Sequence, residues 1–370
     1  VSRPQAGGPH LEAARLTIDL DALAHNFAVL RADAGGAEVA PVVKSDGYGL
    51  GVAEVGCRLW RESARSFFVA RLSEGEALRR ALGPTRPATI YVLDGLIAGS
   101  GPRLLAADLT PALSSLDQVT AAAALAAGLG RPLPCALHLD SGMSRQGLAA
   151  AEARALALAP DRLRGLDIGL VMSHLGSAAN PAHPRNRRQL DAFCDLRRLF
   201  PGGRASLAAS AGLYLGPEFR FDMVRPGISL YGGGPLERPD PKLQAVVRLE
   251  APLVDIRNVM PGDFVGYGAN VVARRPMRLG LVGAGYADGV IRAAAGRGHG
   301  WAAGARRPFV IVNMDLIALD LGDADVRLGD TVELLGPNAR LDDLAAAAGT
   351  VAHECLVRLS RRIERVYVGQ

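Results

Sequence analysis

The chain has 370 residues, 49% of them hydrophobic and 21% charged, with a formal net charge of +5 at pH 7. That length predicts two domains, and the composition is that of a globular protein able to bury a large core. Membrane and nucleic-acid functions are disfavoured: no run approaches the roughly 20 apolar residues of a membrane helix, the arginines are dispersed, and aromatics are only 5%.

Residues 1–10 lack the basic-then-apolar layout of a secretory signal. The chain begins without Met, which leaves room for a removed upstream segment. The pattern then alternates short apolar or β-branched runs with Ala/Leu/Arg-rich stretches from about residue 15 to 235. A helix is predicted over 20–32, with Leu23, Phe27 and Leu30 on one stripe and Asp19 or Asp21 as its cap. A buried strand, 39–43, ends at Lys44. Further strands are predicted at 67–70, 89–93, 135–139, 168–173 and 205–209, separated by helices at 72–81, 116–127, 149–158 and 187–199. Such alternation implies parallel pairing and suits an N-terminal (β/α)8 TIM-type barrel over residues 1–240, although a doubly wound open sheet reads similarly. The first residues are allowed a pairing with the second domain. Residues 237–242 form a turn-rich linker. Short runs at 245–254, 277–282, 309–313 and 331–335 then predict a C-terminal, mostly β domain over 241–370, an α/β + β chain in all.

Cys57, Cys135, Cys194 and Cys355 have no paired spacing, so they read as reduced cysteines of a cytoplasmic protein, with no metal site expected. Of 42 basic residues only Lys44 and Lys242 are lysines. A guanidinium replaces an ammonium in most ion pairs but forms no ordinary Schiff base with an aldehyde. Lys242 sits in the Pro-rich turn and carries no such signal. Lys44 ends an apolar strand before a Gly-rich turn, where partial desolvation lowers an amine's pKa and frees it for imine formation. The plainer alternative is a surface lysine capping a strand.

The segment Pro41-Val-Val-Lys-Ser-Asp-Gly-Tyr-Gly-Leu-Gly51 resembles the cofactor-lysine motif of the alanine racemase family. Six more blocks match that family in order: Asp140–Gly147, Ser173–Ser177, Arg225–Gly232, Val265–Ala269, Gly285–Gly289 and Asn313–Asp315. The resemblance implies a barrel that binds pyridoxal 5'-phosphate, a C-terminal β domain, and a head-to-tail homodimer with shared active sites. It implies racemisation of alanine to supply D-alanine for peptidoglycan, with Lys44 carrying the cofactor and acting as one acid/base. Tyr267, from the partner subunit, would be the second, because racemisation removes a proton from one face of Cα and delivers another to the opposite face. A phenol's reference pKa is near 10, so it needs a cationic neighbour, for which Arg292 is the family match.

By the same resemblance Arg225 faces the pyridine nitrogen. An Arg does not readily accept that proton, so the ring stays neutral and side reactions are limited. Tyr48, Ser210, Gly227 and Ile228 fall at phosphate-binding positions. His174 packs near the ring, Arg145 braces the cofactor and its surroundings, and Met314 and Tyr286 border the substrate carboxylate. Arg292, His138 and Asp315 stand behind these groups. Read without the family, His174 is a hydrogen-bonded core histidine, Tyr267 a turn tyrosine and Arg225 one half of a salt bridge.

The chain departs from the family at four places. His353 replaces a phosphate-binding tyrosine, and Asn313 and Leu316 differ from the usual block beside the entrance. His138 replaces a carbamylated lysine; a cationic His138 would add to the charge of Arg145 instead of offsetting it. The alternatives are a racemase of serine, lysine or a broad range of amino acids, a PLP-binding protein without catalysis, and a decarboxylase of basic amino acids. The last two fit poorly with Tyr267 and Arg225.

Overall fold

The computed structural model describes residues 11–369. They fall into two compact units, residues 24–230 and the combination of 11–23 with 231–369. The first strand, β1 (Arg15–Asp19), leads directly into a helix, Leu20–Asp33. Of the two possible caps it is Asp19 whose Oδ1 accepts from the Ala22 N–H, at 2.9 Å.

Eight short strands follow: β2 (Glu38–Val39), β3 (Ser66–Val69), β4 (Thr89–Val92), β5 (Thr110–Leu113), β6 (Leu133–His138), β7 (Leu166–Met172), β8 (Arg204–Ser206) and β9 (Met223–Val224). Strands β3 to β8 pair in chain order and in parallel, and β9 pairs in parallel with β2. Parallel bridges Val42–Phe68 and Ala209–Arg225 join these two sets, so the ring closes as the expected (β/α)8 barrel. Its strands are buried on both faces: Phe67, Phe68, Val69, Ala112, Leu113, Ala136 and Leu137 are all inaccessible.

Two local departures from the expected elements have backbone causes. The predicted strand over 39–43 is regular only at Glu38–Val39, because Pro41 has no N–H to donate; pairing resumes through Val42 and through Val43, whose N–H donates to the Phe68 carbonyl at 2.9 Å. Strand β5 was not anticipated, since Pro111 within a four-residue run weakens its signal, yet Ala112 and Leu113 pair with β6. The helices Val52–Arg61 and Gly101–Ala106 also went unpredicted.

The second unit carries β10 (Val247–Val259), β11 (Met277–Val282), β12 (His299–Ala302), β13 (Ala305–Val312), β14 (Ile317–Asp320), β15 (Thr331–Leu335) and β16 (Glu364–Val368). They form one sheet in the order β11-β14-β13-β12-β15-β10-β1-β16, and β10 also pairs with β11. The C-terminal β domain is therefore as expected, with β1 inserted between β10 (antiparallel) and β16 (parallel). Two short helices, Leu341–Ala348 and Ala352–Val357, interrupt the β pattern. Among the described residues no helix is long and apolar enough to cross a membrane.

Candidate active site

The barrel places its reactive residues at the C-terminal ends of its strands, where the connecting loops of such folds gather. Lys44 follows the buried pair Val42–Val43 and opens a short turn, Lys44–Tyr48. Within it Ser45, Asp46 and Tyr48 hold φ of 56°, 56° and 57°. That left-handed backbone costs a non-glycine residue on the order of 1–2 kcal/mol. Side chains hold it in place: the Asp46 carboxylate accepts from the Val52 N–H at 2.9 Å, and Glu74 Oε1 accepts from the Ser45 N–H at 2.9 Å. Burial, then the charge of Arg145, push the Lys44 pKa below its ordinary value, and Glu74 partly opposes them.

Arg225, just beyond β9, is almost wholly buried. Among the described residues it makes no salt bridge. Its guanidinium donates to the Ser206 hydroxyl and to the carbonyls of Ser173 (2.5 Å) and Leu207 (3.4 Å), and lies 5.7 Å from the centroid of the Phe68 ring. These bonds use both terminal nitrogens and leave Nε without a described partner. Burial pulls the pKa down to about 9, so the group remains a cation at neutral pH.

Two histidines share this end of the barrel. His138, the last residue of β6, is buried, and its Nδ1 has no hydrogen-bond partner among the described residues. Burial, then the charges of Arg225 and Arg145, push its pKa to about 4 despite nearby Asp140. The cationic alternative raised for His138 is therefore overturned: the imidazole is neutral and leaves the charge of Arg145 alone. His174, after β7, is held neutral for the same reasons, burial first and the surrounding cations second.

Ser210, Gly227, Ile228 and Tyr48 meet at one corner. Ser210 Oγ accepts from the Gly227 N–H at 3.0 Å and the Ser229 N–H at 3.4 Å, and Ile228 opens the next turn. A Cβ on Gly227 would stand 2.1 Å from the Tyr48 hydroxyl, so only glycine lets the phenol come this close to the backbone.

Arg145 lies in an exposed loop fixed at its base, where Asp140 Oδ1 accepts from the N–H groups of Gly142, Met143 and Ser144 at 2.8, 2.8 and 3.1 Å. Sequence reading missed the groups that hold this loop and its neighbour. They come from the helix Arg185–Arg197: Arg185 donates to the Gly142 carbonyl at 2.8 Å, and Gln189 bridges the Gly176 N–H (2.8 Å) and the His174 carbonyl (3.0 Å). It likewise missed Ser173 and Ser206, the oxygens under Arg225. Ser173 lay inside a quoted motif; the others carry no local signal, because their partners are 13 to 43 residues away.

In the C-terminal unit, Tyr267 begins a tight turn and is 83% exposed. Tyr286 and Met314 occupy two turns stitched by backbone bonds, Tyr286 N–H to the Asn313 carbonyl (2.9 Å) and Ala287 N–H to the Met314 carbonyl (3.0 Å). Arg362 clamps both turns, pairing with Asp288 at 2.7 Å and Asp315 at 2.8 Å. Asp315 is thus a structural ion-pair partner. Arg292 is exposed, at the start of the short turn Arg292–Ala294. His353 is exposed on the helix Ala352–Val357.

Comparison with known proteins agrees with both halves of this description. Residues 18–235 match the model of the alanine racemase N-terminal domain, and residues 246–367 that of the C-terminal domain. A catabolic alanine racemase of Mesorhizobium japonicum is 46% identical over 98% of this chain and 96% of its own length. A biosynthetic one from Agrobacterium fabrum is 40% identical, over 96% and 93% respectively. The crystal structure of the Bartonella henselae alanine racemase, with covalently bound pyridoxal phosphate, superposes with a TM-score of 0.91 at 32% identity, covering 97% of this chain and 100% of that one. Similarity of this extent across both domains leaves one assignment: the chain belongs to the alanine racemase family.

Proposed function

We propose that the protein is an isomerase that interconverts L- and D-alanine with pyridoxal 5'-phosphate held on Lys44. The observation that carries this reading is the barrel mouth itself: Lys44 and a buried arginine, Arg225, follow neighbouring strand ends joined by the bond from the Val42 N–H to the Pro226 carbonyl (2.9 Å), and the described partners of that arginine are hydroxyl and carbonyl oxygens. The residues fit the cofactor: the corner formed by Tyr48, Ser210 and Gly227, which a single Cβ would fill, offers a hydroxyl-lined cradle for a phosphate.

When bound, pyridoxal phosphate supplies an electron sink that acidifies the substrate Cα–H. Lys44 Nζ, whose partial desolvation shifts it toward the neutral amine, takes or returns the proton on one face of Cα. Tyr267 Oη of a second copy serves the opposite face. Arg225 presents N–H donors only, so a ring nitrogen facing it stays unprotonated. His174 and His138 are neutral and add no charge there. Arg145, Met314 and Tyr286 border the substrate, with His353 near the phosphate and Arg292 and Asp315 behind.

The exposed Phe264, Tyr267, Tyr286 and Met314 of the C-terminal unit support a homodimer that covers them. The proposed setting is the cytoplasm, and the proposed role is supply of D-alanine to peptidoglycan.

L-Alanine in deuterated water is expected to yield both D-alanine and deuterium at Cα. A protein that produces neither from alanine but does so from serine, lysine or arginine is a racemase of another amino acid. Failure on all four would leave a non-catalytic binding protein. Gly227→Ala tests the cradle: its Cβ must displace the Tyr48 hydroxyl, so pyridoxal phosphate affinity should drop about tenfold and stability by about 1–3 kcal/mol. Titration of the visible absorption band measures the first, and unchanged affinity would remove this corner from the phosphate site.

A further inference from the structure

We infer that Glu74 is the positioning residue for the cofactor lysine, tying the strained turn after Lys44 to the end of the neighbouring barrel strand. The inference rests on the proposed role of Lys44. Glu74 belongs to the helix Leu72–Leu82, in the loop-and-helix unit after β3. One carboxylate oxygen, Oε1, accepts from the N–H of Ser45, the residue next to the lysine, at 2.9 Å. The other, Oε2, accepts from the N–H groups of Ala70 (2.8 Å) and Arg71 (3.2 Å).

A carboxylate suits this place and an amide does not. All three partners are donors, so the NH2 of a glutamine would face an N–H on one side or the other. The bond to Arg71 is ordinary helix capping, with a third-position glutamate reaching back to the cap residue. The bond to Ser45 is not, because it crosses 29 residues to a different βα unit. It restrains the left-handed segment Ser45–Tyr48, whose backbone would otherwise relax and let Lys44 swing away from the barrel mouth.

Glu74 also acts through charge. The groups facing Lys44 are Arg145 from the loop after β6, Glu74, and His174 after β7, which is neutral. Among these Glu74 is the anion, and it favours the protonated amine. Its removal therefore has two opposite signatures. Freed backbone slows attachment of the cofactor, and loss of the anion makes Lys44 available at lower pH.

The test uses the full chain freed of cofactor, with pyridoxal phosphate added from about pH 6 to about pH 10. Lys44 Nζ must be unprotonated to attack the aldehyde carbon, with loss of one water, and growth of the visible band reports the rate. Glu74→Gln is expected to lower the high-pH rate about tenfold, equivalent to about one charge-assisted hydrogen bond, while moving the midpoint of the pH profile down. The double variant Arg71→Ser/Glu74→Gln supplies a new helix cap and should recover thermal stability but not the attachment rate. Recovery of both would make Glu74 only a helix cap and overturn the inference, as would a wild-type rate and midpoint in Glu74→Gln. A wild-type chain that forms no band at all would instead overturn the role of Lys44 on which this rests.

Discussion

Lys44→Ala is expected to abolish the visible band formed with pyridoxal phosphate and to reduce racemisation by about ten-thousandfold. The substitution removes the amine that binds the aldehyde and one of the two groups that move the Cα proton, each a large contribution. Lys44→Arg separates nucleophile from charge. It keeps a cation beside Glu74 but cannot form the covalent bond, so it should be as inactive as the alanine variant. An unchanged visible spectrum in either variant would refute the assignment. The same lysine has a stability signature in the cofactor-free protein. Its folded pKa lies below the ordinary 10.5, so at neutral pH folding must hold a charged amine in a partly desolvated place. That penalty is full below the folded pKa and fades as pH rises toward the unfolded value. Lys44→Met, which keeps the apolar stem, should therefore raise Tm at neutral pH, with the gain shrinking in alkaline solution; a gain independent of pH would contradict the shift.

Tyr267→Phe is expected to lower racemisation by about a hundredfold or more, the usual range for a positioned acid/base. Because Tyr267 is 83% exposed on its own chain, loss of its hydroxyl should change the stability of that chain's fold by less than about 0.5 kcal/mol. A fall in rate with an unchanged Tm therefore reads as lost proton transfer and not as unfolding. The two directions should suffer unequally: the enantiomer whose Cα proton faces Tyr267 loses its base, whereas the other loses the acid that completes the reaction. Deuterium wash-in measured separately from L- and D-alanine resolves the two. Equal, near-wild-type exchange from both enantiomers would remove Tyr267 from the mechanism.

The barrel and the β domain were legible in the chain because their signals are local and repeated. Alternating strands and helices imply parallel pairing wherever they occur, and the runs at 277–282 and 331–335 coincide with β11 and β15. Lys44 was legible for a chemical reason, being one of two lysines in an arginine-rich chain at the end of an apolar strand. The family motifs then named Arg225, Ser210 and Gly227, which the fold brings to the same end of the barrel.

Other features depended on which distant residues became neighbours. The neutrality of His138 follows from burial beside two arginines, and no pattern around residue 138 encodes it. Arg225 could have been one half of a salt bridge; only the packing of Ser173, Ser206 and Leu207 around it made it a buried cation on uncharged oxygens. Glu74 went unnoticed in sequence; it caps its own helix through the Arg71 N–H, but its bond to Ser45 exists because two βα units lie side by side in the closed ring. The chain alone was enough for the barrel followed by a β domain and for Lys44 as the candidate nucleophile, since these depend on periodicity and on the chemistry of single residues. Protonation states, the supports of the strained lysine turn and the insertion of β1 beside β10 and β16 were decided by the tertiary structure, because desolvation and hydrogen bonding depend on neighbours that the chain supplies from far away.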